Sequence, residues 1–299
     1  MILSEFYEKF KDEQSCRDHL KLSRETTGIA CKKCGCVDHY WLQPKEQWQC
    51  KKCSFRTTLR SGTLFESSNL SLKRWYEALY LVCNTKKGIS ACELQRQLGL
   101  KRNEPAWYML QKIRKMMARI NERDQLSGDI ELDNAFFTTV DHKSAIPPKK
   151  GNKRGGGTRK QKALVMVESA IPKNKSYKGK CGRLRILAVE PLDQETIWSL
   201  EDQNFSRVDK IGTDLYRSFR ILDPHKHEPT IVHSSRIHII LPWVHTAIGN
   251  IKRLINGIYH HISTKFAQLY FDEFAFKFNY RYHTDKWNVV LQHSLNLKW

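Results

Sequence analysis

Apolar residues recur at helical spacing between Ser71 and Asn121 and at strand-like spacing beyond Gly128. In the first stretch Leu72, Trp75, Leu79 and Val82 mark one helix, and Ser90 with Glu93 forms a capping box for ISACELQRQLG. Asn103 or Glu104 with Pro105 opens EPAWYMLQKIRKMMARI, and Gly99 ends the segment before it. Three helices are therefore expected, with Ala91, Leu94, Leu98, Trp107, Leu110 and Ile113 as their core. Further on, GDIELDNAFF, KALVMVESA, RLRILAVE and RVDKIGTD read as strands, with LDQETIWSLED a helix between the last two. WVHTAIGNIKRLINGIY and STKFAQLYFDEFAFKFNYRY read as two closing helices, which makes this region α/β.

The segment before Ser71 carries Cys31-Lys-Lys-Cys34 and, after fifteen residues, Cys50-Lys-Lys-Cys53. Two C-x2-C knuckles offer four thiolates to one tetrahedral ion, with room for short strands between them, so a zinc ribbon is expected. Cys36 competes with Cys34 as a ligand; the symmetric pairing favours Cys34. Tyr40, Trp41, Trp48 and Phe55 make too small a core to hold such a unit without metal, so the zinc is structural and any partner meets Lys32, Lys33, Lys51, Lys52 and Arg56. The expected organisation is multidomain: a zinc ribbon in residues 1–66, an all-α domain in 67–124 and an α/β domain in 125–299.

Charge narrows the partner. Lys and Arg total 51 against 31 Asp and Glu, a formal net charge of +20, which favours a polyanion, nucleic acid first. No apolar run reaches the roughly 18–20 residues that span a bilayer, and Met1 to Lys9 lacks a signal-peptide pattern, so a cytoplasmic, nucleoid-associated protein is expected. Nine cysteines, an odd number, suit reduced thiols better than a disulfide framework. The third helix of the all-α region bears Lys112, Arg114, Lys115 and Arg119, as the second helix of a helix-turn-helix would, although any small helical bundle shares this look. PPKKGNKRGGGTRKQK, residues 147–162, sets Lys149, Lys150, Lys153, Arg154, Arg159, Lys160 and Lys162 around a Gly triplet. It suits a phosphate backbone and lacks P-loop spacing.

Three places bear on chemistry. Period-two alternation puts Asp129, Glu131 and Asp133 on one strand face, which fits either a divalent cation or an exposed edge strand. Asp214 follows an apolar strand, where it is either a site residue or a helix cap. From Pro229 to Phe271 there is no Asp or Glu, yet five histidines: His233, His238, His245, His260 and His261.

In order along nearly the whole chain, CKKCG, KGISACELQRQLG, IELDNAFF, KRGGGTRK, GTDLYRSF, LPWVHTAIGNIKR, GIYHHIS and YFDEFAFKFN resemble the DDE transposases of bacterial and archaeal insertion sequences built as zinc ribbon, helix-turn-helix and ribonuclease-H-like domain. The resemblance places the family's two aspartates on Asp133 and Asp214. Its third acid, seven residues before a Lys, falls on His245, counted from Lys252; some members similarly replace the Glu. Family members commonly carry Glu after the first Asp, where this chain has Asn134. The resemblance implies Mg²⁺ or Mn²⁺ held by Asp133, Asp214 and His245, with Glu131 supporting from behind. It also implies phosphate contacts from Lys252 and Arg253, inverted-repeat DNA as substrate, and a homodimer or higher oligomer on DNA. His245 and Lys252 lie within about 20° of each other on a helix. An imidazole suits Mn²⁺ better than Mg²⁺. Two rival readings are a catalytically inactive DNA-binding relative and a zinc-dependent, transcription-factor-like regulator.

Overall fold

The computed structural model describes residues 1–139, 160–170, 180–231 and 239–295. Helices α1 (Leu3–Lys9) and α2 (Glu13–Thr27) precede the cysteines. The sequence pattern did not announce them, because few apolar positions define their buried faces. Capping does define α2: the Asp12 carboxylate accepts from Ser15 N at 2.7 Å while Ser15 Oγ accepts from Asp12 N at 3.2 Å. Gly28 ends the helix at φ 90°. Strands β1 (His39–Leu42), β2 (Gln47–Cys50) and β3 (Arg56–Thr58) form a small antiparallel sheet. Arg24 of α2 lies over the Trp48 ring at 4.9 Å and donates to the Thr58 and Leu59 carbonyls at 2.9 and 2.8 Å.

Helices α3 (Leu72–Asn84), α4 (Ala91–Gln97) and α5 (Asn103–Asn121) fall where the periodicity puts them. Ser71 and Ser90 cap α3 and α4 by accepting from Arg74 N and Glu93 N at 3.3 and 3.1 Å. The basic residues of α5 are divided by their surroundings. Lys112 Nζ donates to the carbonyls of Leu64 and Glu66 at 3.2 and 2.7 Å, and Arg114 is only 1% exposed. Both were expected to meet DNA; chain carbonyls already hold Lys112, Arg114 is buried, and Lys115 is left exposed.

By contacts, Met1–Met116 cluster with Tyr282–Trp299, and Met117–Arg281 form a second unit. The C-terminal helix α9 (Lys286–His293), which the sequence pattern carried along with the α/β region, thus belongs with the N-terminal helices. Its Trp287 ring lies 5.4 Å from Tyr76 and 5.3 Å from Phe10, and its indole N–H donates to the Tyr76 carbonyl at 3.3 Å.

The second unit is built on strands β4 (Leu126–Phe137), β5 (Gln161–Ala170), β6 (Lys180–Val189), β7 (Phe205–Thr213) and β8 (His227–Pro229), in the order β6-β5-β4-β7-β8. β6, β5 and β4 pair antiparallel, whereas β4–β7 and β7–β8 pair parallel. Helix α6 (Gln194–Asn204) connects β6 to β7. Alternation along β4 feeds two cores. Ile130 and Leu132 pack with Leu164, Ile197, Phe219 and Leu222 on one face. Ala135 and Phe137 share the other with α7 (Pro242–Leu254) and α8 (Ala267–Asn279), through Val244, Ala247, Ile251 and Phe271. β4 is central, so its acidic face is not an edge exposed to water. Among the described residues no helix is long and apolar enough to cross a membrane.

Replacing Trp287 by Ala empties an aromatic core and is expected to cost about 3–5 kcal/mol of stability, read by urea unfolding followed by circular dichroism. A cost below about 1 kcal/mol would show that α9 contributes little to the first unit.

Candidate active site and metal centres

The ribbon cysteines come together through tight turns. Cys31 O and Cys50 O accept from Gly35 N and Ser54 N at 2.9 and 3.0 Å, with Gly35 and Ser54 in left-handed backbone at φ 70° and 57°. These turns bring the sulfurs of Cys31, Cys34, Cys50 and Cys53 within 4.8 Å of one another. Cys31 lies 3.5 Å from Cys53 and Cys34 lies 3.6 Å from Cys50, close to the ~3.8 Å edge of a tetrahedron with ~2.3 Å Zn–S bonds. Cys36 faces the Asp38 carbonyl at 3.9 Å instead. Four convergent thiols at this spacing fit a structural zinc ion.

The second constellation arises from sheet register. Parallel pairing sets Leu132 beside Thr213, so Asp133, the next residue on β4, and Asp214, the first residue past the end of β7, emerge side by side. Asp214 does not cap a helix: its Oδ1 accepts from Tyr216 N at 3.0 Å in an Asx turn. Thr213 ahead of it shares a 2.7 Å hydrogen bond with His227 Nε2 on β8. Asp133 is 9% exposed and accepts from Asn134 N at 2.7 Å. Helix α7 supplies His245, whose Nδ1 lies 3.4 Å from Asp133 Oδ2, and its Nε2 is buried with no hydrogen-bond partner among the described residues.

Burial pushes the Asp133 carboxyl up, and the charge of Asp214 pushes it further, to about 7, against the Asn134 N–H and Lys252. Burial pushes His245 below its ordinary value, with Asp214 opposing. Two acids and an imidazole thus meet at one place, with Asp133 buried and Asp214 and His245 half-buried. A divalent cation fits such a donor set, since it relieves the repulsion between carboxylates and gives the unpartnered Nε2 a bond. The three donor atoms do not all approach within 4.8 Å as the cysteine sulfurs do.

Glu131 lies on the same strand face but faces a different partner. Its Oε2 accepts from Trp243 N at 2.7 Å and Val244 N at 2.8 Å, the free donors of the first turn of α7. The contact made by this carboxylate is a cap on α7, through backbone N–H groups. Sequence reading missed this role, although one signal was present. Leu241-Pro242 opens α7 without a capping side chain, and no acid is near in sequence, so an acceptor had to come from elsewhere.

Lys252 and Arg253 are exposed in the last turn of α7, and Lys160 is exposed ahead of β5. Lys149, Lys150, Lys153, Arg154 and Arg159, and with them most of the basic stretch 147–162, lie outside the described residues, as do His233 and His238. His260 Nδ1 lies 3.0 Å from the Asn256 carbonyl, which it caps.

Stripping zinc with a chelator should melt the ribbon, and Cys50→Ser should lower bound zinc from one equivalent to near zero while Cys36→Ser retains it, as measured by metal analysis. A second expectation concerns pH. Because the folded protein holds Asp133 above its ordinary value, its contribution to stability is present at pH 4 and lost as pH rises through about 7. Asp133→Asn in metal-free protein should therefore raise the melting temperature at pH 8 by at least about 3 °C and leave it nearly unchanged at pH 4.

A search of curated proteins finds no match. Against protein families, residues 125–279 match the ISXO2-like transposase domain. That span is more than half of the chain and runs from the start of the five-stranded sheet to the end of α8, taking in Asp133, Asp214, His245 and Lys252. With the match covering the whole sheet and every residue of the buried acidic site, the protein belongs to the ISXO2-like transposase family.

Proposed function

We propose that the protein is a DNA transposase that binds the terminal inverted repeats of a mobile element and cleaves and joins DNA strands by metal-dependent phosphoryl transfer. The observation that carries this reading is the meeting of Asp133, Asp214 and His245, with an unpartnered Nε2, inside a transposase-family span. Three antiparallel strands followed by two parallel ones support a ribonuclease-H-like domain. Asp133, Asp214 and His245 would hold Mg²⁺ or Mn²⁺. When bound, such ions place positive charge on the attacking and leaving oxygens. The two carboxylates orient the reacting groups, and His245 either lends its neutral nitrogen or carries a proton near neutral pH. Lys252 and Arg253 contact phosphate without reading sequence.

The DNA surface extends, in this reading, over the ribbon's exposed Lys33, Lys51 and Lys52, over Lys115 of the helix-turn-helix, and over the basic stretch 147–162. Bringing two element ends together calls for at least a dimer, and the site of action is the nucleoid. Two rivals, an inactive DNA-binding relative and a zinc-dependent regulator, require no acid in a metal-ready setting. The buried Asp133, with the charge of Asp214 beside it, favours the enzyme over both.

On duplex DNA carrying the element's inverted repeats, the full chain should nick at the element ends only with a divalent cation. Asp133→Asn and Asp214→Asn should each lower the rate by about 10³-fold or more with DNA affinity retained. Mn²⁺ should support faster cleavage than Mg²⁺, a preference abolished in His245→Ala; equal rates in the two metals would remove His245 from direct ligation.

A further inference from the structure

We propose that Glu131 is the positioning residue for the third member of the site: it clamps the first turn of α7 to the central strand and so sets His245 and Lys252 against Asp133. This rests on the reading of Asp133 and His245 as site residues. The clamp follows from what the helix lacks. Its N-cap, Leu241, has no side-chain acceptor and sits in left-handed backbone at φ 54°, and Pro242 at the first helical position has no N–H. The next two donors, Trp243 N and Val244 N, both end on Glu131 Oε2. His245 is the following residue, and its own N–H makes the first bond of the helix, to the Leu241 carbonyl at 3.3 Å.

The clamp is stiff at its other end. Glu131 is 6% exposed on a strand paired on both sides, to Val167 of β5 and Gly212 of β7, and the Ser169 hydroxyl also hydrogen-bonds its carboxylate. Asp133 lies two residues along on the same face, about 7 Å away by strand geometry. One rigid strand therefore carries both the carboxylate that meets His245 and the carboxylate that holds its helix. Gly212 lies beside the start of α7: a Cβ there would stand 3.1 Å from the tip of the Leu241 side chain, Cδ2, which would have to shift by a few tenths of an ångström. Seven residues on, Lys252 inherits the same setting, two turns further along a continuous helix.

The test uses the full chain in four forms: wild type, Glu131→Ala, Glu131→Gln and Gly212→Ala. On DNA-free, metal-free protein, the imidazole resonances of ¹⁵N-histidine report the environment of His245, assigned by the signal lost in His245→Ala. Single-turnover cleavage of inverted-repeat DNA with Mn²⁺, and DNA affinity, are measured alongside. Glu131→Ala should move the His245 resonance and slow cleavage by about 10²-fold at nearly unchanged DNA affinity. Glu131→Gln keeps an oxygen for the two N–H groups, so it should restore the resonance and bring the rate to within about 10-fold of wild type. Gly212→Ala should shift the same resonance with Glu131 intact. The proposal is overturned if folded Glu131→Ala leaves the His245 signal in place, or if Glu131→Gln behaves as Ala does. If Glu131→Ala does not fold, Glu131→Gln decides, and a His245 signal displaced from its wild-type position in Glu131→Gln counts against the clamp. Should wild type fail to cut DNA, the transposase reading falls, while the resonances still judge the clamp.

Discussion

Beneath the first turn of α7, one carboxylate oxygen receives two backbone N–H groups from a helix that has no cap of its own. Burying a carboxylate is costly unless its lone pairs are met, and a helix N-terminus meets them with fixed donors and the positive end of the helix dipole. The exchange is mutual. Glu131 gains N–H partners that oppose the upward push of burial on its carboxyl, and α7 gains the acceptor that Leu241 cannot offer. Glu13 plays the same part in the first unit, where its two oxygens accept from Leu72 N and Lys73 N at 2.9 Å each, beside the local cap Ser71.

Two residues along β4, a second carboxylate on the same face is treated in the opposite way. Burial first, and then the like charge of Asp214, hold the Asp133 proton to about 7 against a single N–H, from Asn134, and Lys252. Glu131 is saturated with donors and Asp133 is starved of them, although both are buried. The difference marks their work: a saturated carboxylate holds structure, and a starved one beside an unpartnered imidazole nitrogen is ready to receive a cation.

The excess of basic residues is similarly split by surroundings. Arg24 spends its guanidinium on the carbonyls behind β3, Lys112 on those of Leu64 and Glu66, and Arg185 on the Asp124 carbonyl and Asn204 Oδ1, at 2.8 and 2.6 Å. A net charge of +20 therefore overstates the surface available to a polyanion. Lys115, Lys252 and Arg253 remain on exposed helix turns, where phosphate can reach them.

Periodicity and spacing alone determined strands β4 to β7, helices α3 to α8 and the four cysteines of the ribbon, because each is written within a few residues of chain; the short β8 carries no such pattern. Ordered short blocks likewise pointed to the transposase family and to Asp133, Asp214 and His245. The tertiary structure decided what local pattern cannot hold. It made β4 central, although alternation left an edge strand open. It moved α9 to the N-terminal helices, buried Arg114 although it sits among cations, and gave Glu131 the start of a helix to cap. Glu131 and Val244 stand 113 residues apart, and neither has meaning for the other until sheet and helix are packed. Local sequence fixes which groups need a partner; only the packed fold chooses which one they get.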